Sequence, residues 1–231
     1  MSYKHTPEIS VLLSTHNNEN SINNSIKSII DQSFEDFELL IINDASEDTT
    51  LKKLKNFDDK RIKIFNNRSN LGLTKSLNIL LSKSSGKYIA RQDADDISLK
   101  DRFIIQKEYI QNNNLKFCSA RARDIYNNKK VPGVSFYIPD KLLFKYKNPH
   151  IHGTLFMEKE VLEGVGGYDE NFYFAQDFKL YCDLIKKNVK LARINSILYL
   201  MNTKDNISNK NKDEQKYYFE CAKNNILPKV N

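Results

Sequence analysis

The chain has 231 residues, a net charge of +7, and 13 Phe and 12 Tyr within an ordinary apolar content, so it suits one large domain or two small halves sharing a core. The positive balance would suit phosphorylated ligands or an anionic membrane surface, but most of it reads as a Lys-rich solvated surface; the basic residues are scattered and carry no nucleic-acid motif. Met1 to Pro7 is polar and no run approaches the roughly 20 apolar residues of a membrane span, so a soluble, cytoplasmic protein, at most peripherally attached to a membrane, is expected.

In chain order, Ile9 to Leu13 is a nearly continuous apolar run, as expected of a strand covered on both faces, and Ser14-Thr15-His16-Asn17-Asn18 breaks it. Ile22, Ile26, Ile29 and Ile30 recur at helical spacing. Phe37 to Ile42 reads as a second buried strand, ending at Asn43-Asp44-Ala45-Ser46, with a polar helix from about Thr49 to Lys55 after it. Ile62 to Phe65 is a third strand, and Leu73, Leu77, Leu80 and Leu81 mark a helix that Gly86 is expected to close. Tyr88 to Ala90 is a fourth strand, followed by Asp93, Asp95 and Asp96.

Alternating strands and helices with buried strands predict an α/β fold, a mostly parallel sheet flanked by helices. Ligands in such sheets bind beyond the carboxyl ends of the strands, where these polar residues collect. Three carboxylates so close repel one another unless a cation sits among them, and carboxylate oxygens suit hard divalent ions. An extended Asp93-Ala94-Asp95 would point both acids the same way; the alternative is a solvated acidic turn before a helix capped by Ser98.

The second half is less regular. Ser98 and Asp101 read as a capping pair for a helix through about Asn112, and Phe117 to Tyr126 as a strand. Short helices are expected near Lys141 to Tyr146 and Glu158 to Leu162, with a strand ending Asn148 to Phe156 between them. Gly164, Gly166 and Gly167 form a loop, and a helix begins at Gln176-Asp177. Two short strands are expected near Leu191 and Leu198, then a polar, basic tail from Asn202 whose possible helix holds Tyr217, Tyr218 and Phe219. Cys118, Cys182 and Cys221 are odd in number and far apart, as expected of reduced thiols.

The opening Ile-Ser-Val-Leu-Leu-Ser-Thr-His-Asn, the stretch Ser33 to Ser46, Asn70-Leu71-Gly72-Leu73, Asp93-Ala94-Asp95-Asp96, Gly166 to Glu170 and Gln176-Asp177 stand in an order and spacing that resemble the family 2 glycosyltransferases, over roughly Ile9 to Lys187. The resemblance implies a GT-A, Rossmann-like fold with a donor-binding half (1–98), an acceptor-binding half (99–201) and a C-terminal helical tail (202–231). It implies inverting transfer of a sugar from a nucleotide-sugar, with a UDP-sugar favoured, to a saccharide or lipid-linked acceptor in surface polysaccharide synthesis.

By position in that family, Asp95 resembles the principal ligand of Mn2+ or Mg2+, helped by Asp93, and Asp93 and Asp96 the contacts to ribose, metal-bound water or donor sugar. Ser14, Thr15, His16, Asn17 and Asp44 match the nucleobase site, and Lys75 could reach a phosphate or be a solvated helix lysine. His16 stands where the family commonly has Tyr. Asp44 could instead cap the following helix. Asp177 matches the general base, with Gln176 where the family usually has Glu. His152, Tyr168 and Asp169 are acceptor-side candidates, and the acceptor pocket is expected from Val131 to Pro139 and Gly164 to Phe174. The Lys-rich tail could rest on an anionic membrane, or be a solvated helix or a dimer contact. The rivals are a nucleotidyltransferase, which would want a Gly-rich basic loop in place of Ser14 to Asn18; a dinucleotide oxidoreductase, which would want Gly-x-Gly-x-x-Gly after the first strand; and an inactive binding homologue.

Overall fold

In the computed structural model, which describes residues 5–204 and 211–229, the strands form one mixed sheet. Its order is β3 (Ile62–Asn66), β2 (Phe37–Asn43), β1 (Ile9–Thr15), β4 (Tyr88–Asp93), β8 (Phe156–Glu158), β6 (Phe117–Asp124), β9 (Ala192–Met201) and β5 (Ile97–Ser98), with β7 (Lys130–Val131) paired to β6. The first four are parallel; the runs of β1, β2 and β4 are buried because helices cover both faces, while the apolar residues of the edge strand β3 are half-buried.

One face packs α1 (Ile22–Ile30), α2 (Thr50–Leu54) and α4 (Arg102–Asn112) through Ile22, Ile26, Ile29, Leu54, Phe103 and Ile110. Burying each such side chain contributes about 1.5–3 kcal/mol. The other face packs α3 (Leu73–Lys83), α6 (Lys159–Gly164) and α7 (Gln176–Lys186) through Leu77, Leu80, Leu162, Leu180 and Leu184. The short α5 (Asp140–Leu143) lies between β7 and β8 in the chain, and α8 (Lys212–Asn224) lays Phe219 on Phe178 of α7 at 4.1 Å.

The three-residue β8 joins the two halves: Ala90 of β4 and Cys118 of β6 both pair with Phe156. From there the sheet is less regular. The two strands expected near Leu191 and Leu198 are one strand, β9, whose pairing with β6 slips twice between Ala120 and Ala122. Asn195 falls between the partners Ile194 and Ile197, and its Oδ1 accepts from Arg121 Nη1 at 2.9 Å. That polar interruption breaks the apolar pattern without breaking the strand.

Ser98 does not cap α4. It lies in β5, where its Oγ donates to Gln92 Oε1 (2.7 Å) and accepts from Arg102 Nη1 (2.8 Å), and the helix starts at Arg102. Gly86 does not close α3, which ends at Lys83. A Cβ there would stand 2.6 Å from the backbone nitrogen of Ser10, so Gly86 permits close approach to β1. Positive φ occurs at Gly166 (85°) and Gly167 (75°), as the loop reading expects, whereas Gly164 is the last residue of α6. All three cysteines are free thiols.

Candidate functional site

The carboxyl ends of β1, β2 and β4 meet in one place because the parallel register puts Ser14 beside Asp93 and Thr15 beside Asn43. Beyond them the chain turns sharply, with left-handed backbone at Asn17 (φ 53°) and Ala45 (φ 55°). The Asp44 N–H donates to Thr15 O at 2.8 Å, and Thr15 Oγ1 donates to Asn18 Oδ1 at 3.0 Å. His16 Nδ1 donates to the Asp44 carbonyl at 2.8 Å, which leaves Nε2 to accept from the Asn17 amide at 3.2 Å. A carbonyl can only accept, so this contact selects the tautomer.

The Asp44 carboxylate is buried and does not cap α2. It accepts from Asn67 Nδ2 (2.7 Å), Leu71 N (2.9 Å) and Gly72 N (2.8 Å), so it holds the turn that leads into α3. Oδ2 takes only the last of these and keeps acceptor capacity. Tyr173, from the loop before α7, packs on this same turn: a Cβ at Gly72 would meet its ring at 2.9 Å.

The acidic stretch is not extended as the alternate-residue argument requires. Strand β4 ends at Asp93 and Ala94-Asp95 forms a turn. Asp93 Oδ1 takes a hydrogen bond from Arg91 Nη2 at 2.7 Å, and its N–H donates to Tyr199 Oη at 3.0 Å. Asp95 is half-buried in the turn. Asp96 is buried beneath it and accepts from the Asn202 N–H at 2.7 Å and from the Tyr199 hydroxyl. Burial, then the charges of Asp93 and Asp95, push the Asp96 carboxyl well above the usual range.

Two buried arginines form the floor of this turn. Arg91 also donates through Nη1 to the carbonyls of Leu12 (3.2 Å) and Gln92. Arg102, fully buried, donates to Arg91 O (2.8 Å), Ser98 Oγ (2.8 Å), Gln92 Oε1 (3.3 Å) and Gln106 Oε1 (2.8 Å). Burial pulls its guanidinium down to about 10, which leaves it charged at neutral pH.

On the opposite side, Ala175 adopts left-handed backbone (φ 51°) and turns the chain into α7. Asp177 Oδ1 accepts from the Phe178 N–H at 2.8 Å and Oδ2 from Asn148 Nδ2 at 2.6 Å. Burial pushes Asp177 up to about 6 against these hydrogen bonds, and the charge of Asp93 adds to the rise. The segment His152–Thr154 packs on Asp93. A Cβ at Gly153 would stand 2.7 Å from Asp93 Oδ2 and 2.5 Å from Tyr199 Oη. His152 Nε2 is 2.9 Å from the Tyr168 hydroxyl; burial, then the charge of Arg91, pulls the imidazole down to about 3, so it is neutral.

The structure therefore brings Asp93, His152 and Tyr168 together, with Asp177 close enough to feel the charge of Asp93. Asp169 turns away: it accepts from Asn171 N (3.0 Å) and pairs with Lys179 (3.4 Å). Lys75 is exposed in the first turn of α3, and Gln176 is half-buried at the start of α7. Reading the sequence residue by residue does not find Arg91, Arg102, Asn148, Gly153 or Tyr199. The available signal was Arg102 with Gln106, a polar i, i+4 pair beside Phe103 and Ile110 on one helix face.

Among the described residues no three His, Cys, Asp or Glu side chains form a closed metal cage. The donor set still fits a divalent ion. Asp95 sits half-buried at the turn, Asp93 beside it is already matched by Arg91, and magnesium-type ions typically take one or two carboxylates and complete their shell with water and substrate phosphates.

Residues 10–166 match the family model described as glycosyl transferase family 2. The chain is 30% identical over 230 residues to the O-antigen biosynthesis glycosyltransferase WbnJ of Escherichia coli, covering 96% of this chain and 89% of that protein. It is 30% identical to the E. coli UDP-Glc:alpha-D-GlcNAc-diphosphoundecaprenol beta-1,3-glucosyltransferase WfgD, covering 78% of this chain and 70% of that one. An uncharacterized glycosyltransferase of Haemophilus influenzae is 34% identical over 77% of this chain, which spans 60% of that relative's length. Among solved structures, S. aureus TarS 1–349 in complex with UDP-GlcNAc has a TM-score of 0.73 at 19% identity, over 86% of this chain and 59% of that one. The mannosyltransferase PcManGT of Pyrobaculum calidifontis in complex with GDP-Man and Mn2+ has a TM-score of 0.73 at 16% identity, over 93% and 62%. The likeness shows the GT-A fold. With the family model matched over most of its length, the chain belongs to glycosyl transferase family 2.

Proposed function

We propose that this chain transfers a sugar from a nucleoside-diphosphate sugar, a UDP-sugar first, to a hydroxyl of a saccharide or lipid-linked saccharide, with inversion. The observation that carries the reading is Asp177: a carboxyl raised to about 6, aimed by Asn148 and close enough to Asp93 to feel its charge. A general base works best with a value near the operating pH, so at neutral pH Asp177 is largely ionised and ready to accept a proton.

In this reading residues 1–98 hold the donor and 99–201 the acceptor. The nucleobase lies over Ser14 to Asn17, with its ring N–H on the free capacity of Asp44 Oδ2 and His16 against its face. Asp95, with Asp93 beside it, holds Mn2+ or Mg2+, which offsets the charge of the diphosphate. Asp177 takes the proton of the acceptor hydroxyl, the oxygen forms its bond to the anomeric carbon on the face opposite the leaving group, and the bond from that carbon to the diphosphate oxygen breaks. Neutral His152 and the Tyr168 hydroxyl supply uncharged hydrogen-bonding groups to a sugar. WfgD, which uses UDP-Glc and an acceptor linked to diphosphoundecaprenol, supports a UDP-sugar and a lipid-linked saccharide, and WbnJ supports a role in O-antigen-like polysaccharide synthesis.

The test is calorimetry with UDP, GDP, CDP and dTDP, each with Mn2+ and with chelator, on the wild type and Asp95→Asn. Tight binding of one nucleotide that requires both the metal and Asp95 is expected. No binding under any condition would return the chain to the class of inactive homologues.

A further inference from the structure

The segment between β7 and Asn148, which includes the Val131 to Pro139 stretch expected to line the acceptor pocket, exposes an apolar surface. Val134 is 86% exposed, Tyr137 70% and Tyr146 81%, with Ile138 and Leu142 also exposed among them. The segment is not loose. Leu143 is buried, Phe144 stacks on Phe178 at 5.4 Å, Arg193 Nη2 donates to Ile138 O at 2.8 Å, and Lys147 Nζ donates to Ser135 Oγ at 2.9 Å. Large apolar side chains held outward on an anchored segment mark an interaction surface.

Charge selects the partner. Lys129, Lys130, Lys141, Lys145 and Lys147 are all exposed in this stretch. Its one acid, Asp140, is turned inward onto Arg193 (2.6 Å) and His150 (3.3 Å), so it does not offset them. Tyrosine and aliphatic side chains ringed by lysine fit the interface of an anionic bilayer, where the ring sits at headgroup level and the ammonium groups meet the phosphates. The C-terminal helix offers less. Tyr218 packs on Phe172 (6.1 Å) and Phe174 (5.6 Å) and Phe219 on Phe178, and its Lys212, Lys216 and Lys223 are matched in number by Asp213, Glu214 and Glu220. Lys210 of the tail lies outside the described residues.

We propose that the face formed by Val134, Tyr137, Ile138, Leu142 and Tyr146, with its five lysines, docks the protein on an anionic lipid surface. The same segment runs directly into Asn148, which aims Asp177, so the docked face is continuous with the residue that holds the proposed acceptor base. This deepens the proposed function and rests on its lipid-linked acceptor.

The experiment is co-sedimentation of the full chain with phosphatidylcholine vesicles, with and without phosphatidylglycerol. It compares the wild type with Val134→Ser/Tyr137→Ser/Tyr146→Ser, with Lys141→Glu/Lys145→Glu, and with Lys212→Glu/Lys216→Glu on α8. The wild type is expected to bind only the phosphatidylglycerol vesicles. Both variants of the face should weaken binding by at least about tenfold, and the α8 variant should match the wild type. No wild-type binding, full binding by either face variant, or a loss confined to the α8 variant overturns the proposal. Loss of a dimer by the face variants in sedimentation equilibrium overturns it in favour of a second copy of the chain. Nucleotide calorimetry on the wild type separates the two readings: vesicle binding without any nucleotide binding would sink glycosyl transfer and leave the docking face, and the reverse would do the opposite.

Discussion

The two sides of the cleft are built differently. On the proposed donor side, Asp44 and Asp93 stand at the ends of parallel strands paired without a slip over β1, β2 and β4. On the proposed acceptor side, Asp177, Asn148 and His152 sit on a helix start and irregular chain, and the neighbouring β6 and β9 slip twice. Strand ends suit a ligand part that varies little in shape, as a diphosphate with its metal would. Loops and helix ends carry what differs between acceptors, since they change with little cost to the core.

The sharpest way to break this comparison is Asp177→Asn. If the acceptor side carries the chemistry alone, transfer falls by about 10²–10⁴-fold while metal-dependent nucleotide binding is kept; loss of both would show the sides are not separable. The wild-type rate should fall as pH drops through about 6, because the working form is the anion. Stability follows the opposite sign. The folded carboxyl holds its proton more tightly than the unfolded one, so its contribution is greatest below about pH 4 and is lost as pH rises through about 6. Asp177→Asn should therefore melt at neutral pH no lower than the wild type.

Arg102→Met is the matching change on the donor side. It leaves Ser98 Oγ, Gln106 Oε1 and the Arg91 carbonyl without the donor that Arg102 supplies, and should cost about 1–3 kcal/mol for each acceptor left unpaired in denaturant unfolding. Nucleotide binding should weaken in whatever protein remains folded. A mild effect on both would mean the floor of the acidic turn does not depend on its buried charge.

Phe219→Ala asks whether α8 belongs to the acceptor side. Removing its stack on Phe178 should cost about 2 kcal/mol and raise the acceptor KM more than it changes donor binding. The smallest effect is on the thiols. Burial pushes Cys118 far above its usual range and Cys182 up to about 11, so thiol reagents should label both slowly at neutral pH until the chain is unfolded.

Legibility in the sequence follows the same division. Strands β1, β2 and β4 show because a strand buried on both faces holds a continuous apolar run, and the acids show because they closely follow such runs. The two-residue β5 does not, since it exists only through pairing with the distant Leu200 and Tyr199. Ser98 reads as a cap because its partners, Gln92 and Arg102, are recognisable only once β4 and α4 are packed. A buried arginine looks like a surface arginine until its acceptors are found, and half of those around Arg91 and Arg102 are backbone carbonyls, which every residue has. Asp177 shows by resemblance, while the Asn148 that aims it lies 29 positions earlier and meets it only in the fold.

Gly153 sets a limit on how this enzyme could be redesigned. Its bare Cα is wedged against Asp93 and Tyr199, so it touches the donor side while belonging to the acceptor side. A library that shuffles loops between relatives can vary the exposed side chains of 131–147 and 164–174 with little cost to the core. A crossover that brings any side chain to position 153 would push on Asp93, and such chimeras would fail for every donor and every acceptor alike.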